Sequence, residues 1–288
     1  MLSSPSVLSS VCPLVLASLA AAPAPLWKLP RGAAGPGPET FAWLQTKPRG
    51  RRRTLAASAL FLDTPYGVGP LGEGNPGGAP RVRFDEVDCQ TFVEEAIALG
   101  EARRPADLLS TLDDLRYGGG PSFADRNHFM MSEWVPRNLA KGYLRDLTRA
   151  LGGPLVEVAQ KRITPSSWAH RRGSREIELP PDRVPVGRWA LPVIPLDRIL
   201  EIAPKIPDGT LLLIVRADRP SWPDRVTHLG FLVRHGGEPY LRHASNVFHR
   251  VHDEPLDHFV ARNARYDWWP VTGFSLLEIE AAPDRPAK

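Results

Sequence analysis

Asp88-Cys89-Gln90-Thr91-Phe92-Val93-Glu94-Glu95-Ala96-Ile97-Ala98-Leu99-Gly100 is the stretch from which the rest of the chain can be read. Phe92, Ala96 and Leu99 fall on one helical stripe with Val93 and Ile97 beside it, so a helix is expected from Cys89 to Leu99. Asp88 is a natural N-cap and Gly100 a natural C-terminal stop. A cysteine at the first helical position meets unbonded backbone N–H groups and the positive end of the helix dipole. Both favour thiolate over thiol, and the thiolate is the form that attacks an acyl carbon. Asp88 opposes that effect if its carboxylate faces the sulfur. Its side chain is therefore expected to turn toward the helix N–H groups or a substrate, and its plainer role is the cap alone.

Outward from this helix the chain splits into two regimes. A short helix fits Pro38–Gln45, and an apolar segment starts near Thr54 and runs to Leu62. A turn-rich loop follows over Asp63–Pro70, with Gly and Pro dense from Gly72 to Pro80. Further helices are expected over Pro105–Leu115 and Asn138–Leu151. From Pro207 the period changes. Thr210–Arg216 reads as a buried strand, Val226–Val233 as a second, Tyr240–Ala244 as a third after a turn at Gly236-Gly237, and Trp269–Leu277 as a fourth. Helices first and an antiparallel meander afterwards give an α+β domain.

A nucleophilic thiol needs a base from elsewhere in the fold. His228 lies 139 residues beyond Cys89, a separation comparable to the roughly 130–150 residues between cysteine and histidine in papain-like enzymes. Eight histidines are present, so spacing alone does not choose among them. Position does: His228 sits in an apolar strand, and the hairpin at Gly236-Gly237 sets His243 close to opposite it. His243 would then orient the His228 imidazole through its second nitrogen, as the third member of a triad. The plainer reading of His243 is a hydrogen-bonded core histidine.

Composition bounds the context. The chain has 288 residues, 42% hydrophobic and 24% charged, which suits a globular domain with a real core. An apolar stretch over Val11–Ala22 followed by small residues looks like a secretory leader, although no Lys or Arg precedes Lys28. It is too short to span a bilayer. Residues 1–22 are therefore expected as a signal peptide, 23–55 as a Pro/Gly/Arg-rich linker and 56–288 as the functional domain of an exported protein. There are two cysteines, and loss of such a leader removes Cys12 and leaves Cys89 alone. A solitary cysteine in an exported chain makes no internal disulfide, so it is either a reactive thiol or a small buried hydrophobe. The net charge of +4 is concentrated in one run, Lys47-Pro-Arg-Gly-Arg-Arg-Arg53. That run reads as solvated linker, or as a weak electrostatic tether to anionic wall or membrane polymers. Without interleaved aromatics or a recognisable module it gives no case for nucleic acid.

Tyr66, Asp88-Cys89, Thr227-His228-Leu-Gly-Phe and Leu241-Arg-His243-Ala-Ser resemble the NlpC-type papain-like hydrolases of bacterial cell walls. Several blocks are similar, more narrowly, to the N-acetylmuramoyl-L-alanine amidase-like subgroup: Thr64-Pro-Tyr66, Asp88-Cys-Gln-Thr-Phe-Val-Glu94, Leu115-Arg-Tyr-Gly118, Arg126-Asn-His-Phe129 with Trp134, and Leu241-Arg-His-Ala-Ser245. The resemblance implies a papain-like fold, with N-terminal helices carrying the nucleophile and packed on an antiparallel sheet. It implies Cys89 as nucleophile, His228 as general base, His243 as orienting residue and Tyr66 near the sulfur as a donor to the oxyanion. The reaction implied is cleavage of the amide between N-acetylmuramic acid and L-alanine in peptidoglycan or muropeptides; a monomer with no metal or cofactor is the separate expectation for the chain. Asp63 stands where the family usually has glycine, Gln90 replaces a small apolar residue, and Val156–Leu191 matches nothing in the pattern.

Arg126-Asn127-His128 follows a glycine-rich turn and is expected either to contact the substrate or to pin its own loop. His249, His252 and His258 lie in a polar stretch and read as surface histidines. Other functions remain open at this stage. A stem-peptide endopeptidase of the same fold usually carries Ser-Gly after the cysteine, where this chain has Gln90-Thr91. A zinc hydrolase built on His228, His243 and another histidine lacks any short-spaced motif. A non-catalytic wall-binding module would need none of the three triad candidates.

Overall fold

The computed structural model describes residues 35–75 and 78–282. The expected leader and the first part of the expected linker lie outside the described residues. Among those described, no helix is long and apolar enough to cross a membrane.

Eight strands form one antiparallel sheet: β1 (Leu144–Asp146), β2 (Glu157–Ile163), β3 (Gly187–Pro195), β4 (Leu211–Arg216), β5 (Val226–His235), β6 (Glu238–Ser245), β7 (Arg250–Pro255) and β8 (Val271–Ile279). Their order is β2-β3-β8-β4-β5-β6-β7, with β1 on the end of β8. β4 is the central strand, and Leu211–Val215 are buried without a break because both faces of the sheet are covered. Leu211, Leu213 and Val215 point into one core, where Phe92, Ala96 and Leu99 of the helix Cys89–Glu101 pack on Leu229 and Phe231. Leu212 and Ile214 point into a second core with Leu232, Leu241 and Phe259. The helix Leu256–Ala264 covers that second face.

On the first face lie α1 (Pro38–Gln45), α2 (Arg51–Ala59), α3 (Cys89–Glu101) and α4 (Leu108–Arg116). Residues 35–55 were expected as connector and instead fold into this layer. Phe41 and Leu44 are buried, and so are Arg53 and Thr54. The basic run is largely consumed inside the molecule. Arg49 bonds the buried Glu101 at 2.9 Å, Arg51 reaches Glu278 at 3.1 Å and the Asp208 carbonyl, and Arg53 donates to the Lys47 carbonyl. Cations held by backbone and carboxylates here join α2 to α3 and β8, so the tether reading keeps few free charges to work with.

Two sequence expectations about helices are corrected. Gly100 does not end α3 but lies within it, packed so closely on Thr54 that an added Cβ would sit 2.7 Å from the hydroxyl. Asn138–Leu151 is not one helix: the chain turns at Gly142, which adopts φ +79°, and leaves to form β1 before Thr148–Gly152 coils again. The unmatched segment Val156–Leu191 supplies β2 and, with Gly187–Pro195, a hairpin that extends the sheet edge. Asp63, at the position where glycine was expected, adopts φ +66°. Aspartate is among the few side chains that tolerate this left-handed conformation, which explains why the substitution leaves the following Thr-Pro-Tyr turn in place.

Candidate active site

Cys89 opens α3 beneath a complete cap. The Asp88 carboxylate accepts from the Gln90 and Thr91 N–H groups at 3.0 and 2.8 Å, and Thr91 Oγ1 accepts from the Asp88 N–H at 2.9 Å. The carboxylate therefore faces the helix, as the sequence suggested, and the reciprocal pair fixes the direction in which Cys89 leaves the backbone. Backbone N–H groups of Leu229, Cys89 and Gln90 favour the thiolate. They do not make it a resting thiolate. Burial, reinforced by the Asp88 carboxylate, pushes the thiol up to about 12. The lowered thiol expected from the helix start is thus overturned by desolvation.

The bases come from the opposite element, the sheet. The β5–β6 register sets Phe231 against Arg242, two residues away from the register read from the turn, so His228 and His243 are diagonal neighbours on one face. They still meet: His228 Nε2 lies 2.6 Å from His243 Nδ1. Gly230 makes this diagonal contact possible. A Cβ there would stand 2.6 Å from the Arg242 carbonyl oxygen and 2.9 Å from His243 Cβ. Gly230→Ala is expected to cost about 1–3 kcal/mol in urea unfolding, the usual range for overpacking a tight site. It should also reduce turnover by displacing His243.

Phe259 roofs both imidazoles, stacked on His228 (centroids 6.3 Å, 17°) and edge-on to His243 (5.8 Å, 87°). Burial drives His228 well below its ordinary value of 6.5, helped by His243, Arg262 and Arg216. Its imidazole is therefore neutral and able to take a proton. Behind it, His243 is 1% exposed and its Nε2 lies 3.2 Å from Glu254 Oε2. Arg262 clamps that carboxylate at 2.8 Å. Glu254 was not read from the sequence. It sits in the polar run Arg250–Pro255, whose place in the sheet only pairing with β6 reveals.

Two clefts meet at this point. One, of about 250 Å³, is lined by Tyr66, Cys89, His228 and His243 together with Arg216 and Arg262. The other, of about 190 Å³, is lined by Cys89, Gln90, His228, His128, Trp222 and Asp224. Cys89 and His228 line both, so the thiol and the imidazole stand where two differently furnished arms join. Asp224, half-buried and pushed up to about 6 by desolvation, accepts from the Val226 and Met131 N–H groups and shapes the second arm.

The remaining sequence candidates divide. Tyr66 lines the first cleft, and burial, then Cys89 and Asp88, raise its hydroxyl. His128 lines the second, its Nε2 held 2.7 Å from the Phe123 carbonyl. Arg126 and Asn127 do not line either cleft. Arg126 pairs with Glu73 at 2.8 Å, and the buried Asn127 is bound by Arg137 and the Leu115 carbonyl. They pin the loop that presents His128.

Fold and cleft together define an α+β protein in which a helix-start thiol and strand-borne imidazoles line the junction of two clefts. The family model for AmiA-like, N-acetylmuramoyl-L-alanine amidase-like proteins matches residues 56–265, and the chain belongs to that family. Among solved structures it is similar to a Legionella pneumophila protein, with 23% identity, a TM-score of 0.73, and coverage of 87% of this chain and 94% of that one. It is also similar to an N-acetylmuramoyl-L-alanine amidase from Bacteroides uniformis, at 21% identity and a TM-score of 0.63, covering 79% of this chain and 98% of that one. A candidate xylanase from Bacteroides fragilis matches at 22% identity and a TM-score of 0.62, over 78% and 100% of the two chains. Identities this low carry the fold and not the activity. No curated protein matches significantly.

Proposed function

We propose that this protein is an exported cell-wall hydrolase of the NlpC-type, papain-like kind, cleaving the amide between N-acetylmuramic acid and L-alanine. The observation that carries the reading is the junction of two clefts at Cys89 and His228, with His228 tied to His243 at 2.6 Å. The family membership supports this choice of bond. The arm bearing Arg216 and Arg262 suits the carboxylates of a stem peptide, and the arm bearing Trp222 suits the sugar.

The chemistry follows from the tautomers. The Glu254 carboxylate favours a proton on His243 Nε2, which leaves His243 Nδ1 as acceptor for the His228 Nε2 proton. His228 Nδ1 then keeps its lone pair. As the sulfur of Cys89 attacks the lactyl carbonyl, its proton passes to His228 Nδ1 and on to the departing alanine nitrogen. Backbone N–H groups at the head of α3, with the Tyr66 hydroxyl, stabilise the oxyanion. Water then attacks the thioester and gives its proton to His228, releasing the lactyl acid and the thiol. The amides at the helix start support its thiolate during attack, while desolvation keeps the resting group protonated.

Mass spectrometry of muropeptides digested with the protein tests the bond: free stem peptide, with intact L-alanine at its amino end, is the expected product. Fragments cut inside the stem would show an endopeptidase instead. The pH profile tests the base. Because His228 is depressed, kcat/KM should stay at its plateau as pH falls through 6.5 and decline only below it. With the thiol near 12, no rise from thiol ionisation should accompany increasing alkalinity short of that value. An acid limb centred at or above 6.5 would count against a buried, neutral His228.

A further inference from the structure

Behind the imidazole pair lies a cluster that the proposed reaction does not use in full. His243 and His252 are directly opposite each other on β6 and β7, and Glu254 lies two residues on, on the same face. One ligand atom from each lies within 4.8 Å of the other two. His252 Nε2 is buried without a hydrogen-bond partner, and His243 Nε2 has the Glu254 carboxylate 3.2 Å away as its neighbour. An unsatisfied imidazole nitrogen on His252, beside a second imidazole and a carboxylate, is costly unless something fills the space between them. Two imidazoles and a carboxylate are a donor set for a borderline divalent ion such as zinc, with a fourth position for water. His252 is only half-buried, with the exposed Phe248 ring centroid 4.2 Å from its own, so the cluster lies near the molecular surface.

We propose that His243, His252 and Glu254 form a divalent-cation site whose occupation switches the Cys89–His228 pair off. The inhibitory half of this proposal rests on the functional reading above; the site itself does not. A metal takes the lone pair of His243 Nε2 and displaces the proton from it. The proton shared along the 2.6 Å contact then shifts from His228 Nε2 to His243 Nδ1, so that His243 stays neutral. His228 restores its own proton at Nδ1, and the pair ends with two protons, as it began. The nitrogen that must accept the thiol proton is now occupied. Inhibition thus works through a tautomer rather than by blocking the cleft or capping the sulfur. Arg262 holds the same carboxylate and opposes the metal, so the ion binds reversibly rather than as a permanent structural part.

The test uses the metal-free protein titrated with zinc chloride by calorimetry. Wild type and Cys89→Ala should each bind a single zinc ion with equal affinity, and His252→Ala should bind at least about tenfold more weakly, as expected for loss of a ligand. ¹⁵N spectra of wild-type histidines should show His243 changing from an Nε2-protonated to an Nδ1-protonated ring as zinc is added. Muropeptide cleavage by wild type should fall with zinc and return with EDTA. His252→Ala should need at least about tenfold more zinc to reach the same fraction of its own zinc-free rate. Loss of binding in Cys89→Ala would place the ion on the thiol, and equal binding in His252→Ala would remove the site; either overturns the proposal. If the metal-free protein cleaves nothing, the functional reading fails, while the titration and the spectra still decide the site.

Discussion

Cys89→Ala is expected to abolish release of stem peptide from muropeptides, by about four orders of magnitude or more in kcat, the scale on which removal of a nucleophile usually acts. The loss should leave the fold intact. Cys89 packs only partly against the core, and α3 is secured by the Asp88 cap and by side chains further along the helix. A matching unfolding midpoint is therefore the control. His228→Ala should lose nearly as much as Cys89→Ala, and the double variant little more than either alone, because nucleophile and base act as one unit. Thiol alkylation should inactivate the enzyme more slowly than it would an exposed, ionised cysteine, since the resting group is protonated. A chelator should not reduce the rate. Undiminished cleavage by Cys89→Ala, with loss on chelation, would remove the sulfur from the reaction and return a metal to its centre.

How far this site could be read in advance depended on how local its causes are. The cap, the stripe of α3 and the central strands carry strong short-range signals: a capping pair three residues apart, a 3.6-residue period and an unbroken apolar run. The meeting of His228 with His243 was legible only in outline. Strand parity places both on one face, but the register itself differs by two residues, and Gly230 makes the diagonal contact possible. Glu254 was missed, and His252 read as a surface histidine, because β7 is an outer strand with many polar residues, and its sequence resembles a surface loop. Gly142 broke an expected helix through a backbone conformation that spacing does not reveal. The thiol was misjudged for a different reason. A helix dipole can be read from position, whereas desolvation depends on everything folded around the sulfur, and here desolvation is the larger effect. The basic run teaches the same lesson: composition gave its charge, and only the fold showed Glu101, Glu278 and backbone carbonyls waiting for it.

Glu94→Ala is expected to lower the unfolding free energy by about 3–5 kcal/mol, the range for breaking a buried ion pair by removing one partner. Glu94 and Arg116 are each 1% exposed and meet at 2.6 Å. Glu94 also accepts from Trp134 Nε1 and Gln90 Nε2 at 3.0 Å, and Arg116 donates to the Arg81 carbonyl. Arg116 depends on this carboxylate because its other acidic neighbour is ill suited to the task. Burial raises Glu95 well above the ordinary carboxyl range, which favours its neutral form. Removing Glu94 leaves a guanidinium in the core with no contacting anion. Replacing both residues, as Glu94→Leu with Arg116→Met, should recover much of the loss, because an apolar pair of similar volume avoids desolvating either charge. The double variant should still turn over more slowly than wild type. Through Gln90 the carboxylate reaches the first turn of α3, and Gln90 in turn approaches the Asn127 carbonyl of the loop that carries His128. The ion pair thus joins the thiol's helix to the wall of the second cleft. Urea unfolding measures the first effect and kcat of the double variant the second. A single variant costing less than about 1 kcal/mol, the range of an exposed pair, would show that Glu94 and Arg116 are solvated rather than buried.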